Sequence, residues 1–168
     1  MVRLSGFAVA LLLTVSVGGC AAMPSAVDLV EANAQQSVVT AADARRAMAQ
    51  YVQAVNRALR RGNVDDLLEV TAARCPCAQL VGFVRNSFDE GGELAGARFR
   101  VRDVTVLDVR EGRSEADVRA VVSISQYDVR TSDGIVVSTE PATRYTATYT
   151  LREAGGQWQA IDVRQNQK

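Results

Sequence analysis

The chain has 168 residues, 48% of them apolar, with 19 basic and 19 acidic side chains and no net charge, which is enough for one domain with a real core but not comfortably for two. That balance excludes association with nucleic acid or an anionic surface through bulk charge. No histidine occurs, which removes the usual general base near neutral pH, the serine–histidine arrangement and the commonest metal ligand together; catalysis would have to run on carboxylates, tyrosine or thiols, and no cofactor is expected.

Residues 1–19 read as a leader. Met1 to Ser5 carry one positive charge, Arg3, and Phe7 to Leu13 form an apolar run that continues through Val15 and Val17. A charged start, an apolar core of about a dozen residues and small residues before a cut are the parts of a secretory signal. The run falls short of the roughly 20 apolar residues that a spanning helix needs. Val17-Gly18-Gly19-Cys20 then resembles the lipobox of bacterial lipoproteins, with Val17 as its apolar side chain and a small pair before the cysteine. The resemblance implies that residues 1–19 are removed, that Cys20 carries a diacylglycerol thioether, and that the protein sits lipid-anchored on the extracytoplasmic face of a bacterial membrane. An ordinary signal peptide with an incidental cysteine is the alternative. Residues 20–40, with Pro24, small residues and Gln35-Gln36, read as a tether, or as the start of a helix at Val27, Leu29 and Val30.

From Ala41 the apolar positions Ala44, Ala47, Met48, Tyr51, Val55, Ala58 and Leu59 follow three- and four-residue steps, the period of an amphipathic helix. Thr40 is placed to cap it, Asp43 suits its first turn and Gly62 suits its end. Asn63 offers a second cap before a short helix through Asp65-Asp66 that should end near Ala72 or Ala73. Cys75-Pro76-Cys77 opens a third helix, since proline fits a first turn; Leu80, Val81, Val84 and Phe88 share its face, and Asp89-Glu90-Gly91-Gly92 stops it.

Beyond Gly96 the period becomes two. Phe99 and Val101, then Val104 and Val106, alternate with a phase slip near Asp103 that a bulge explains. Glu111-Gly112-Arg113 turns the chain into a stripe of Ala116, Val118, Ala120, Val122 and Ile124. Ser132-Asp133-Gly134 makes the next hairpin, Tyr145, Ala147, Tyr149 and Leu151 the next stripe, and Gly155-Gly156 the last turn before Trp158 to Val163. The expected class is α+β: three helices, then a curved, mostly antiparallel sheet, in one domain over residues 41–168.

This element order, with its Gly155-Gly156-Gln157-Trp158 ending, resembles the nuclear transport factor 2-like superfamily, which includes SnoaL-like cyclases, scytalone dehydratase, ketosteroid isomerase and non-enzymatic envelope domains. The resemblance implies a sheet curled around the first helix to leave a conical cavity. The family's enzymes place a catalytic Asp or His in that cone; this chain has no His, and no Asp matches by motif, so no catalytic residue carries over.

Four constellations remain. Cys75 and Cys77 are the only thiols left once Cys20 is lipidated, and in an oxidising compartment they are candidates for a tight disulfide or, at a helix start, for a reactive redox pair. Two thiols without histidine do not complete a zinc site, though Cu(I) accepts two soft ligands. Tyr51, Tyr127, Tyr145 and Tyr149 are candidates for cavity lining, with Trp158 as further aromatic surface; such walls bind small amphipathic ligands or simply fill a core. Asp65-Asp66 and Asp89-Glu90 are better explained as helix-start or solvated charges than as an acid–base pair. Arg98, Arg100 and Arg102 form a basic stripe, either solvated or a docking strip for an acidic partner. The function expected first is a non-catalytic envelope module that binds a partner protein, with ligand binding or catalysis in the cone as the alternative and thiol redox chemistry third.

Overall fold

The computed structural model describes residues 38–89 and 91–166. Cys20, the leader, the tether up to Ser37, Glu90 and residues 167–168 lie outside the described residues.

Helix α1 (Ala41–Arg61) begins and ends where its punctuation places it. The Thr40 side chain accepts from the Asp43 N–H while the Asp43 carboxylate accepts from the Thr40 N–H, a reciprocal capping box that satisfies two donors otherwise left open. Gly62, at φ 70°, closes the helix and donates to the Ala58 carbonyl. The buried stripe is Ala44, Ala47, Met48, Tyr51, Ala54, Val55, Ala58 and Leu59; its alanines allow the sheet to approach closely.

Helix α2 (Asp65–Glu69) is shorter than its sequence suggests. The Ala160 N–H donates to the Val70 carbonyl, the Ala72 N–H donates to the Ala160 carbonyl, and Thr71 bridges Ala160 in parallel. The backbone of Val70 to Ala72 is thus spent on a strand edge and is lost to the helix. A 3-10 turn at Pro76–Ala78 follows, then α3 (Gln79–Phe88), which buries Val81 and Val84.

Seven strands follow, all paired antiparallel: β1 (Glu93–Ala95), β2 (Phe99–Arg110), β3 (Glu115–Ile124), β4 (Tyr127–Arg130), β5 (Val136–Glu140), β6 (Thr143–Ala154) and β7 (Gln157–Asn166). They form two sheets, a long one in the order β2-β3-β6-β7 and a small one in the order β1-β4-β5, where the sequence gives reason to expect one. The slip at Asp103 is real: the β2–β3 register shifts between Arg102 and Thr105, and Asp103 takes φ 53°. Further shifts fall between Val106 and Asp108 on β2 and across Thr150/Leu151 against β7. Each adds a bend and extra twist, so the long sheet curves.

The inner face of the long sheet contributes Ala116, Val118 and Val122 from β3, Ala147, Tyr149 and Leu151 from β6, and Ala160 from β7 to a core shared with α1. Asn56 joins the two layers. Its side chain donates to the Phe99 carbonyl (2.7 Å) and accepts from the Phe99 N–H (2.9 Å), as a neighbouring strand would. The helices lie on antiparallel sheet, the α+β arrangement expected from the element order.

Candidate functional site: a tyrosine-walled cavity

A recess of about 380 Å³ lies between α1, the Pro76–Ala78 turn with α3, and the inner face of the long sheet. All four tyrosines of the chain line it. Tyr51 comes from the buried face of α1; Tyr145 and Tyr149 come from one face of β6, four residues apart; Tyr127 opens β4. Tyr51 leans on Tyr149 with ring centroids 5.6 Å apart and meets Phe99 edge-on at 6.4 Å, and Phe83 of α3 meets Tyr127 edge-on at 6.5 Å. Val55, Leu59, Leu80, Ile124 and Val163 complete the apolar wall, and Gln79 supplies an amide.

The polarity of this wall restricts its chemistry. Among the described residues no carboxylate or guanidinium lines the recess. Burial, with Tyr145 nearby, pushes the Tyr51 phenol far above its usual range; burial, with Tyr51 and Tyr145 nearby, does the same to Tyr149, and burial raises Tyr145. Tyr127 is raised by burial and then by the charge of Glu140, its cross-strand partner. Each phenol therefore stays protonated near neutral pH, since removing water disfavours the phenolate. No hydroxyl of the four has a protein hydrogen-bond partner among the described residues. The recess is an apolar chamber with neutral hydroxyls for orienting a guest, a profile suited to binding.

The other sequence candidates fall elsewhere. The sulfurs of Cys75 and Cys77 lie at disulfide distance, with Cα atoms 5.0 Å apart. Both residues are buried, at 3% and 8% exposure, and Cys77 forms part of the cavity wall, so the bridge is shielded from an attacking thiolate. Trp158 stands apart, beside a polar recess with Gln50, Gln53, Arg57 and Asp66. Asp65, Asp66 and Asp89 are exposed; Asp66 pairs with Arg57, and the Asp65 N–H donates to the Asn63 side chain. Arg100 and Arg102 are exposed on the edge strand β2, and Arg98 is exposed just before it.

One polar cluster escaped the sequence reading. On the outer face of the long sheet Arg110 reaches Asp108 (3.1 Å), Glu115 (3.2 Å) and Asp117 (2.9 Å), Arg152 reaches Glu115, and Thr150 donates to Asp117 at 2.8 Å. Arg152, then Arg110, hold the Glu115 carboxyl below its usual range, and Arg110 with Thr150 does so for Asp117, against the opposing effect of burial. The tight turn at Glu111–Arg113 was the available signal, because it sets Arg110 opposite Glu115.

No protein-family model and no curated protein matches the chain. Solved structures do resemble it. The intermembrane-space region of the chloroplast protein ARC6 aligns at 12% identity over 77% of this chain and 98% of its own, with a TM-score of 0.53. A putative aromatic ring hydroxylase from Novosphingobium aromaticivorans aligns at 16% identity over 73% and 85%, with a TM-score of 0.51. The Kfla4162 protein from Kribbella flavida aligns at 12% identity over 74% and 92%, again with a TM-score of 0.51. At such identities the shared property is the fold, an α+β domain of helices packed on curved antiparallel sheet.

Proposed function

We propose that this chain is a membrane-anchored cell-envelope lipoprotein whose domain is a non-catalytic binding module, holding a small, largely apolar molecule in the tyrosine-walled cavity. One observation carries the binding role: tyrosines from α1, β4 and β6 converge on a single recess of about 380 Å³ with an apolar wall. That volume lies at the small end of the roughly 300–1,000 Å³ of ligand sites. Protonated phenols donate hydrogen bonds to an acceptor on the guest while their rings cover its apolar body. The anchoring part rests on Val17-Gly18-Gly19-Cys20 and the leader before it; a lipid on Cys20 would hold the module at the extracytoplasmic face.

Native mass spectrometry of the protein released from its own membranes in mild detergent tests the binding role. The expected spectrum contains a non-covalent small-molecule adduct that is lost in Val163→Trp, which fills the recess; a spectrum of bare protein alone would sink the reading. Cys20→Ala should move the protein from the membrane to the soluble fraction, and its retention in the membrane would refute the anchor.

A second reading, docking of a partner protein, is favoured by one feature. β5 is an edge strand, and Ile135 just before it and Val136 and Val137 at its start are 61%, 47% and 66% exposed. Open edges with apolar side chains recruit other strands. Crosslinking from position 137 in intact cells tests it, and the absence of any crosslinked protein would count against it.

A further inference from the structure

The outer face of the long sheet, turned away from α1 and the tyrosine cavity, is divided by charge. Near the Glu111–Arg113 turn its arginines are met by carboxylates: Arg110 reaches Asp108, Glu115 and Asp117, and Arg152 reaches Glu115. At the other end one row crosses three strands as Arg100, Ser123 and Arg144, and the next crosses four as Arg102, Val121, Thr146 and Asn166, with no carboxylate in either. Arg98, Arg100 and Arg144 make no ion pair among the described residues. Like charges on one sheet face oppose strand pairing, so folding alone gives no reason to gather these three.

They line one recess of about 360 Å³, together with Ser123, Ser125 and Thr143. Arg100 and Arg144 stand two strand spacings apart, about 10 Å, a gap that two arginine side chains close from opposite sides, with the half-buried Ser123 between them. Arg98 precedes β2 yet is fixed in place. Its N–H donates to the Ser125 hydroxyl (2.9 Å) and its carbonyl accepts from the Ser125 N–H (3.0 Å), while that hydroxyl donates to the Gly96 carbonyl (2.6 Å). The backbone under all three guanidinium groups is therefore ordered before any guest arrives, which lowers the cost of binding.

We propose that this recess, separate from the tyrosine cavity, is a binding site for a phosphate monoester group, either free phosphate or the head group of a lipid. The choice among anions rests on charge and on the number of oxygens. Elsewhere on this face one guanidinium, that of Arg110, takes both oxygens of Asp117 at 2.9 and 3.1 Å, and two guanidiniums share Glu115. Three with a hydroxyl outnumber either arrangement and would leave a carboxylate guest overmatched in charge. A phosphate monoester carries a charge of about −2 at neutral pH and three acceptor oxygens, which arginine forks meet with charge-assisted hydrogen bonds and to which Ser123 adds a hydroxyl donor. Since the chain has no net charge, the attraction is local to this end of the sheet.

Inorganic phosphate, titrated at constant ionic strength into residues 20–168 bearing Cys20→Ser and followed by amide NMR, should shift the signals of Arg98, Ser123 and Arg144, and acetate at the same ionic strength should not. Arg100→Gln with Arg144→Gln should weaken phosphate binding about tenfold or more, and should leave the urea midpoint level or raised because it removes a like-charge pair. Arg61→Gln with Arg113→Gln removes the same charge from exposed positions elsewhere and should leave phosphate binding unchanged. Phosphatidylcholine vesicles containing phosphatidic acid or, at equal surface charge, phosphatidylglycerol separate the two sources. Retention on phosphatidic acid above that on phosphatidylglycerol assigns a lipid head group, and shifts with phosphate but no retention assign the free ion. Absence of phosphate shifts, matching shifts with acetate, or an affinity that survives Arg100→Gln with Arg144→Gln would overturn the site. Equal weakening in both double variants would overturn it as well, by showing that only overall charge matters.

Discussion

Replacing Asn56 by alanine tests whether α1 is pinned to the sheet through one side chain. Asn56 is half-buried on α1, where its amide donates to the carbonyls of Val52 (2.9 Å) and Phe99 (2.7 Å) and accepts from the Phe99 N–H (2.9 Å). β2 is an edge strand, so Phe99 has no neighbouring strand on that side to take over these bonds. Two lost backbone bonds at about 1 kcal/mol each, with a part-buried donor and acceptor left open, give a gross cost of about 2–3 kcal/mol. Alanine is the better helix former by about 0.6 kcal/mol, which leaves a net loss of about 2 kcal/mol. Urea unfolding followed by circular dichroism measures it, as a lower midpoint at unchanged slope, and the melting temperature should drop by roughly 5–10 °C. Gln53→Ala, an exposed site one turn earlier, is the control and should leave stability level or slightly raised. An Asn56→Ala protein within about 0.5 kcal/mol of the native chain, a typical surface-substitution effect, would refute the pin. Because Phe99 packs on Tyr51, the same variant should also weaken ligand binding.

Glu115 and Asp117 are held below their ordinary pKa by Arg152 and Arg110, so their contribution is fully present above the unfolded carboxylate range of about 4 and is lost as pH falls through the lowered native values. Unfolding free energy measured from pH 6 to pH 2 should fall steeply, and Glu115→Gln should flatten that limb while costing about 1–3 kcal/mol at pH 7; an unchanged acid limb would show that the cluster is not the cause. The bridge of Cys75 and Cys77 closes a very short loop, so Cys75→Ser with Cys77→Ser should cost only about 1–2 kcal/mol and leave a folded domain, as read by the same urea titration; loss of the fold would overturn that estimate.

What the sequence reveals of this molecule is what local chemistry decides. Thr40, Asp43 and Gly62 mark the ends of α1 because a cap is an interaction among residues a few positions apart. The odd spacing from Val101 to Val104 betrays a bulge because alternation has a strict period. Tyr145 and Tyr149 share a face for the same reason. What stays hidden depends on distant partners. The early end of α2 is imposed by Ala160, whose backbone claims Val70 and Ala72 from the far end of the chain. The split into two sheets depends on β1 pairing with β4 instead of with its successor in the chain. The cavity itself is a meeting of α1, α3, β4 and β6, and only the tyrosines' chemical type signalled it. The basic residues of the outer face were half legible: Arg100 and Arg102 alternate along β2, but Arg144 joins the row of Arg100 only through Ser123 of β3.

The bulge at Asp103 carries an evolutionary consequence. Three residues of β2, from Arg102 to Thr105, advance against two of β3, from Val121 to Arg119. Losing one residue there would restore a regular ladder with Phe99, Val101, Val104 and Val106 still on one side. Strand bending and core composition are thus separate heritable traits in β2: a single codon gained or lost tunes how far the sheet wraps the chamber, without requiring any compensating change in the side chains that fill the interior.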